Sequence, residues 1–224
     1  MRRVLRHRDF RLLFLGQAAS TVGDRIVFIA LALYVSDIGE PSDVGIVLAA
    51  HALPLVAFLL VGGVWADRLP RHRVMIATDL IRAALHATLA VLIFLGPVAI
   101  WQIVLIELAF GSAEAFFRPA YTGLVPQTVP ASLLQQANGF MSIARYSATI
   151  AGAAVGGALV ATIGSGWAIL LDGTTYATSA VLLGAMALPA AARTAAATNF
   201  LDELREGWHA FTEHTWMWLM TAWI

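Results

Sequence analysis

Glu107, Gly111, Glu114 and Arg118 are four, three and four residues apart, so on a helix they form one stripe. Asp79, Arg82 and His86 make a second stripe, and Asp172, Thr175 and Ser179 a third. Asp24 and Arg25 adjoin each other within one apolar run, and Arg145 stands alone in another. Carboxylates held away from water shift their proton affinity with burial and with nearby charge. The chemistry open to such groups is the binding and release of a proton or cation. Covalent catalysis finds no support. There is no Lys, hence no phosphate-cradling glycine loop ending in Lys. There is no HExxH and no Gly-x-Ser-x-Gly. The chain has no Cys, and its six His are scattered without ligand spacing, so no metal and no cofactor are expected.

The elements that carry these stripes are apolar. Of 224 residues, 59% are hydrophobic and 12% charged, about half the ~25% of a soluble domain. Mean hydropathy is +0.77. A soluble globule of this size cannot hide so much apolar surface, which argues against a water-soluble enzyme. Formal net charge is zero, with 14 basic residues, all Arg, against 14 acidic ones, so no basic excess points to nucleic acid. A bilayer core takes about 20 apolar residues of helix. Six runs meet that need: 12–35, 44–66, 74–95, 98–117, 139–163 and 167–188. Charge or turn chemistry separates them, including Gly96-Pro97, Gly164-Ser165-Gly166 and a break with Pro119, Pro126 and Pro130. A polar stretch follows, and a seventh apolar run begins at Trp216. The first run is too long for a signal peptide and carries Asp24 and Arg25 near its middle.

Arg placement sets the expected orientation. Arg2, Arg3, Arg6, Arg8 and Arg11 precede the first span, and Arg68, Arg71 and Arg73 lie between the second and third. Arg118 ends the fourth, and Arg193 and Arg205 follow the sixth. All fall on one side, while the opposite loops hold no Arg. The N-terminus is therefore expected in the cytoplasm, in a multi-pass protein of the cytoplasmic membrane. Trp65, Trp101 and Trp167 stand at predicted span ends, where interfacial Trp belongs.

Ionisable groups at membrane depth are functional candidates by default. The candidates are Asp24, Arg25, Asp79, Arg82, Glu107, Glu114, Arg118, Arg145 and Asp172. Plainer readings stand beside several of them. Asp79 and Arg82 can neutralise each other at i,i+3. Arg118 and Arg145 can snorkel to an interface. His86 can be a buried polar filler. One acid can be structural, paired with Arg25 or Arg145. Ala144, Ala148, Gly152 and Gly156, extended by Gly157, form a small-residue ridge that admits a close helix neighbour.

The sharpest motif is Gly63-Val64-Trp65-Ala66-Asp67-Arg68-Leu69-Pro70-Arg71-His72-Arg73. It resembles the signature between helices two and three of the major facilitator superfamily: a Gly, then Asp-Arg four and five residues on, then a basic cluster. Pro70 stands where Gly is usual, and His72 in a commonly basic place. Gly23-Asp24-Arg25, Phe116-Phe117-Arg118-Pro119-Ala120, Asn138-Gly139 and Leu171-Asp172 resemble the drug-exporter branch, near the macrolide and siderophore exporters. The run from Gly152 to Gly157 resembles the antiporter motif of the fifth span, with Ala153 in place of its Pro. The usual fourth-span Arg is replaced by Glu107, so that Arg's part in proton coupling does not carry over.

The resemblance implies an all-α membrane protein built as the N-terminal half of a major facilitator fold. It would comprise a six-helix domain (1–189), a cytoplasmic linker between halves (190–215) and the start of helix seven (216–224). It implies proton-coupled efflux of a small amphipathic compound by alternating access, with membrane lipid around it and a missing C-terminal half or second subunit opposite. Gly63, Asp67, Arg68, Arg71 and Arg73 would form a gating loop. Two other readings fit the same residues: a non-transporting remnant or interaction module built on the Gly152/Gly156 face, and an importer of the same fold.

Overall fold

The computed structural model describes residues 3–187, with the backbone alone described over 59–68 of the second helix. The expected linker (190–215) and the start of helix seven (216–224), with Arg193 and Arg205, lie outside the described residues.

Six long helices follow the apolar runs: α1 (Arg8–Ile38), α2 (Pro41–Arg68), α3 (Arg71–Leu95), α4 (Ile100–Thr128), α5 (Leu134–Ile163) and α6 (Ser165–Gly184). Pro41 opens α2, a position where its missing N–H is no loss. Gly96 (φ 147°) and Gly164 (φ 84°) end α3 and α5 in backbone conformations that other residues resist, which permits very short turns there.

One boundary corrects the sequence reading. The fourth span was expected to end at Phe117, before Pro119. Instead α4 runs through Pro119 and Pro126 to Thr128. Each Pro removes one i→i−4 bond, at the carbonyls of Ala115 and Thr122, and the helix continues on its other bonds and its packing. Arg118 therefore lies within α4 and not at its end.

Among the described residues, α1, α2 (over Pro41–Phe58), α3, α4 and α5 are long and apolar enough to cross a membrane. The 20 residues of α6 span about 30 Å, the thickness of the bilayer core, but carry Asp172, Thr174, Thr175, Thr178 and Ser179. Of these, Asp172 and Ser179 are buried, whereas Thr174 and Thr178 are exposed.

The main helix contacts are α2 with α4, α4 with α3, α3 with α6, α6 with α1, and α1 with α5. Exchanging α1 with α4, α2 with α5 and α3 with α6 turns this pattern into itself. The packing thus carries an internal two-fold repeat that no sequence repeat announces. One end of the bundle gathers the start of α1 and the close of α6. There the Arg8 guanidinium donates to the Ala185 carbonyl (2.9 Å) and the Ala187 N–H donates to Asp9 (3.1 Å). At the opposite end the Val98 N–H donates to the Tyr34 hydroxyl (3.2 Å).

Four helices read apolar, polar, apolar along their buried faces. In α1 the order is Phe10 and Leu13, then Gln17 and Ser20, then Ile26, Ala30 and Val35. In α3 it is Met75, then Asp79, Arg82 and His86, then Leu89. In α4 it is Ile103, then Glu107, then Phe117 and Leu124. In α6 it is Ile169, then Asp172 and Ser179, then Leu183. Two apolar clusters result, one near each end, with a polar belt between them.

Candidate functional site

The belt holds most of the candidates, because the 3–4 spacing of each stripe keeps its members on one inward helix face. On α4, Glu107 and Glu114 both reach His51 of α2. The ring Nδ1 lies 3.0 Å from Glu107 Oε2, and Nε2 lies 2.9 Å from Glu114 Oε2. The other Glu114 oxygen accepts from Arg118 at 2.9 and 2.7 Å. Glu107 is only 4% exposed, and its Oε1 has no hydrogen-bond partner among the described residues. Gly111 sits between the two acids, directly against the His51 backbone carbonyl. A side chain there would collide with backbone.

Behind this set lies a second. Arg82 is ion-paired with Asp79, and both are buried. Its guanidinium lies over the rings of Phe117 (4.0 Å) and Tyr176 (4.3 Å), which replace lost hydration with cation–π contact. His86 Nδ1 lies 2.6 Å from Asp172 Oδ2, and Thr175 donates to Asp172 Oδ1 at 3.1 Å. The Tyr176 hydroxyl donates to Asp24, so this acid pairs with α6 and not with Arg25 or Arg145. Phe110 separates the two sets. It stacks on His86 with centroids 4.4 Å apart and lies 5.5 Å from the His51 ring.

Two cavities meet at the belt. One, of about 290 Å³, extends toward the end of α1 and the start of α2 along Leu31, Val35, Val44 and Val47. The other, of about 590 Å³, extends the opposite way along Gln17, Tyr121, Val125, Asn138 and Arg145. Asp24, Arg25, Glu114 and Arg118 border both. His51 and Glu107 face the first, and Arg82 faces the second.

Other candidates lie elsewhere. Gly63, Asp67 and Arg68 are described by their backbone alone. Arg71 donates to the Gly123 carbonyl at 2.6 Å, tying the α2–α3 turn to the last part of α4, and Arg73 is exposed. Arg145, on the wall of the larger cavity, lies beside the Tyr146 ring at 5.2 Å. Gly152 meets the Arg25 side chain, and Gly156 lies against Ile26, where an added Cβ would be 3.1 Å from the Ile26 Cα. Gly157 faces open space and does not extend that ridge.

His51, Phe110 and Tyr176 are the site residues that sequence reasoning missed. For His51 the signal was present: an ionisable side chain at membrane depth, three residues before Pro54. It has no stripe on its own helix, because both partners are on α4.

The profile of the transmembrane secretion effector family (MFS_3) matches residues 3–218. The chain is 28% identical over 192 residues to YkuC, an uncharacterised MFS-type transporter of Bacillus subtilis, covering 85% of this chain and 44% of that protein. It is 24% identical over 201 residues to macrolide efflux protein A of Streptococcus pyogenes, covering 88% of this chain and 50% of the relative. It is 30% identical over 181 residues to the putative bacilysin exporter BacE of Bacillus amyloliquefaciens, covering 80% and 44%. The chain thus spans about half the length of the curated relatives it matches. Helices, polar belt and family profile agree: this multi-pass membrane chain belongs to the transmembrane secretion effector family of the major facilitator superfamily.

Proposed function

We propose that the chain acts as about half of a proton-coupled exporter that moves small amphipathic compounds by alternating access. It works in the cytoplasmic membrane, N-terminus in the cytoplasm, beside a C-terminal half or second subunit. The observation that carries this reading is the belt of Asp24, Arg25, Glu114 and Arg118, bordered by cavities that extend toward opposite ends of the bundle. A solute that crosses must pass charged groups that both sides can reach in turn. Phe28, Leu31 and Val47 give the smaller cavity an apolar wall suited to the body of an amphipathic compound. The export direction and solute class are supported by the relatives named for macrolide efflux and bacilysin export.

Within this reading Asp24, Glu107 and Glu114 make up the proton- or cation-binding sites, and Arg25 and Arg145 bias their proton affinity through charge. Asp79, Arg82 and Asp172 hold the belt together behind them. The α2–α3 turn, with Gly63, Asp67, Arg68, Arg71 and Arg73, times the cycle. The test is macrolide accumulation in inside-out vesicles that contain the product of the complete reading frame. Accumulation is expected to follow an imposed proton gradient, to collapse with a protonophore, and to be lost in Glu114→Gln while the protein stays in the membrane. Gradient-independent accumulation, or full activity in Glu114→Gln, would overturn the reading.

A further inference from the structure

His51 stands between two carboxylates, and its hydrogen bonds fix how many protons the group must hold. A neutral imidazole donates from one nitrogen only. With both acids ionised, the other nitrogen would turn its lone pair toward a carboxylate oxygen about 3 Å away, as the two contacts of 3.0 and 2.9 Å require. Both contacts are satisfied only when the group carries one proton more. That proton sits either on the imidazole, which then donates twice, or on Glu107, which then donates to Nδ1. Glu114 keeps its charge in both arrangements, because Arg118 donates to its other oxygen twice. The net charge of Glu107, His51, Glu114 and Arg118 is then zero, as an apolar surrounding favours.

A second observation marks where the proton is needed. Glu107 Oε1 is buried without a donor among the described residues. An ionised Glu107 leaves charge on an oxygen to which no described protein group donates, and protonating the carboxyl removes that charge.

We propose that His51, Glu107 and Glu114 form a single-proton site whose occupancy holds α2 against α4. This site deepens the transport reading and takes its purpose from it. When the proton leaves to water in the adjoining cavity, the group passes from neutral to a charge of −1. One of its two interhelical hydrogen bonds becomes a repulsion between lone pairs. That repulsion falls at a close approach of the two helices, Gly111 against the His51 carbonyl. Pro54, one turn on, leaves the Ala50 carbonyl without its helical donor, so α2 bends most easily beside the site. The groups facing His51 from other elements are Asp24 and Arg25 of α1 and His86 of α3, all on the wall of the same cavity, with Arg118 of α4. Asp24 is held by Tyr176, and His86 by Asp172.

The test needs no substrate. These 224 residues hold no Cys, so once any Cys in the rest of the complete protein is replaced by Ser, two spin labels can be placed at Val56→Cys on α2 and Leu105→Cys on α4, both exposed. The complete protein in lipid nanodiscs is titrated with acid and base, and the label separation is read by pulsed electron spin resonance. The expected result is a shift of about 1–2 Å with the titration profile of one proton, the size of a packed-helix displacement. His51→Gln and Glu107→Gln, each verified as folded by circular dichroism, are expected to show a separation independent of pH. A shift that persists in both variants, or a wild-type separation that never moves, would overturn the proposal. The measurement is independent of transport. A site confirmed here beside failed gradient-driven efflux would reject only the exporter reading.

Discussion

The Tyr176 hydroxyl of α6 donates to the carboxylate of Asp24 on α1, across 152 residues of chain. One of the two acids that border both cavities is thus positioned by α6. Tyr176→Phe keeps the ring over Arg82 and removes only the donor. The expected loss of stability is about 0.6–1.7 kcal/mol, the range of interhelical hydrogen bonds in membranes. The expected loss of gradient-driven efflux is about tenfold or more, because Asp24 is freed toward the cavities. Thermal unfolding and efflux on the same preparation check both. Wild-type efflux would remove this bond from the cycle.

Gly111 is expected to be intolerant of substitution. A methyl group there meets the His51 backbone carbonyl, and backbone gives way only if α2 moves. Gly111→Ala is expected to cost about 1–3 kcal/mol, as overpacking does. Gly139 and Gly157 have open space at the same position. Alanine at those two sites is expected to be neutral, or to stabilise by up to about 1 kcal/mol through helix propensity. Denaturation in mixed micelles separates the cases, and a Gly111→Ala protein as stable as Gly157→Ala would contradict the close approach.

These comparisons also mark what was legible in the sequence. The spacing of Asp79, Arg82 and His86, and of Glu107, Glu114 and Arg118, placed each set on one face, and each does line the belt. Helical period is local information, so stripes within one helix could be read. Contacts between helices could not. His51 meets acids 56 and 63 residues away, and only the packing of α2 on α4 joins them. Tyr176 reads as one aromatic among many until α6 is laid against α1. Pro119 and Pro126 misled because proline marks helix ends in water, whereas a packed α4 bears the loss of two backbone bonds. The two-fold repeat of the contacts is likewise a property of backbone packing, which different side chains can satisfy.

The buried Asp79–Arg82 pair allows a double-substitution cycle. Removing one partner strands a charge in the belt, so Arg82→Met is expected to destabilise by about 3–5 kcal/mol. Replacing both, Asp79→Leu with Arg82→Met, is expected to cost far less. Additive losses would show that the two residues do not depend on each other.

Arg71 bonds the Gly123 carbonyl and so couples the α2–α3 turn to α4. Under the proposed cycle, Asp67→Asn and Arg71→Ala are expected to slow turnover about tenfold while leaving the substrate concentration for half-maximal rate unchanged. A change in that concentration with turnover intact would assign the turn to binding instead.

Alternating access requires reciprocal exposure of the two cavities. Leu31→Cys places a thiol in the smaller cavity, and Ser142→Cys places one in the larger. In sealed vesicles, a membrane-impermeant maleimide is added to one side or the other, with and without a proton gradient. Alternating access predicts that Leu31→Cys labels from one side only and Ser142→Cys from the other. It also predicts that imposing the gradient raises one rate while lowering its counterpart. Rates that rise together, or that ignore the gradient, would contradict alternating access about the Asp24–Glu114 belt.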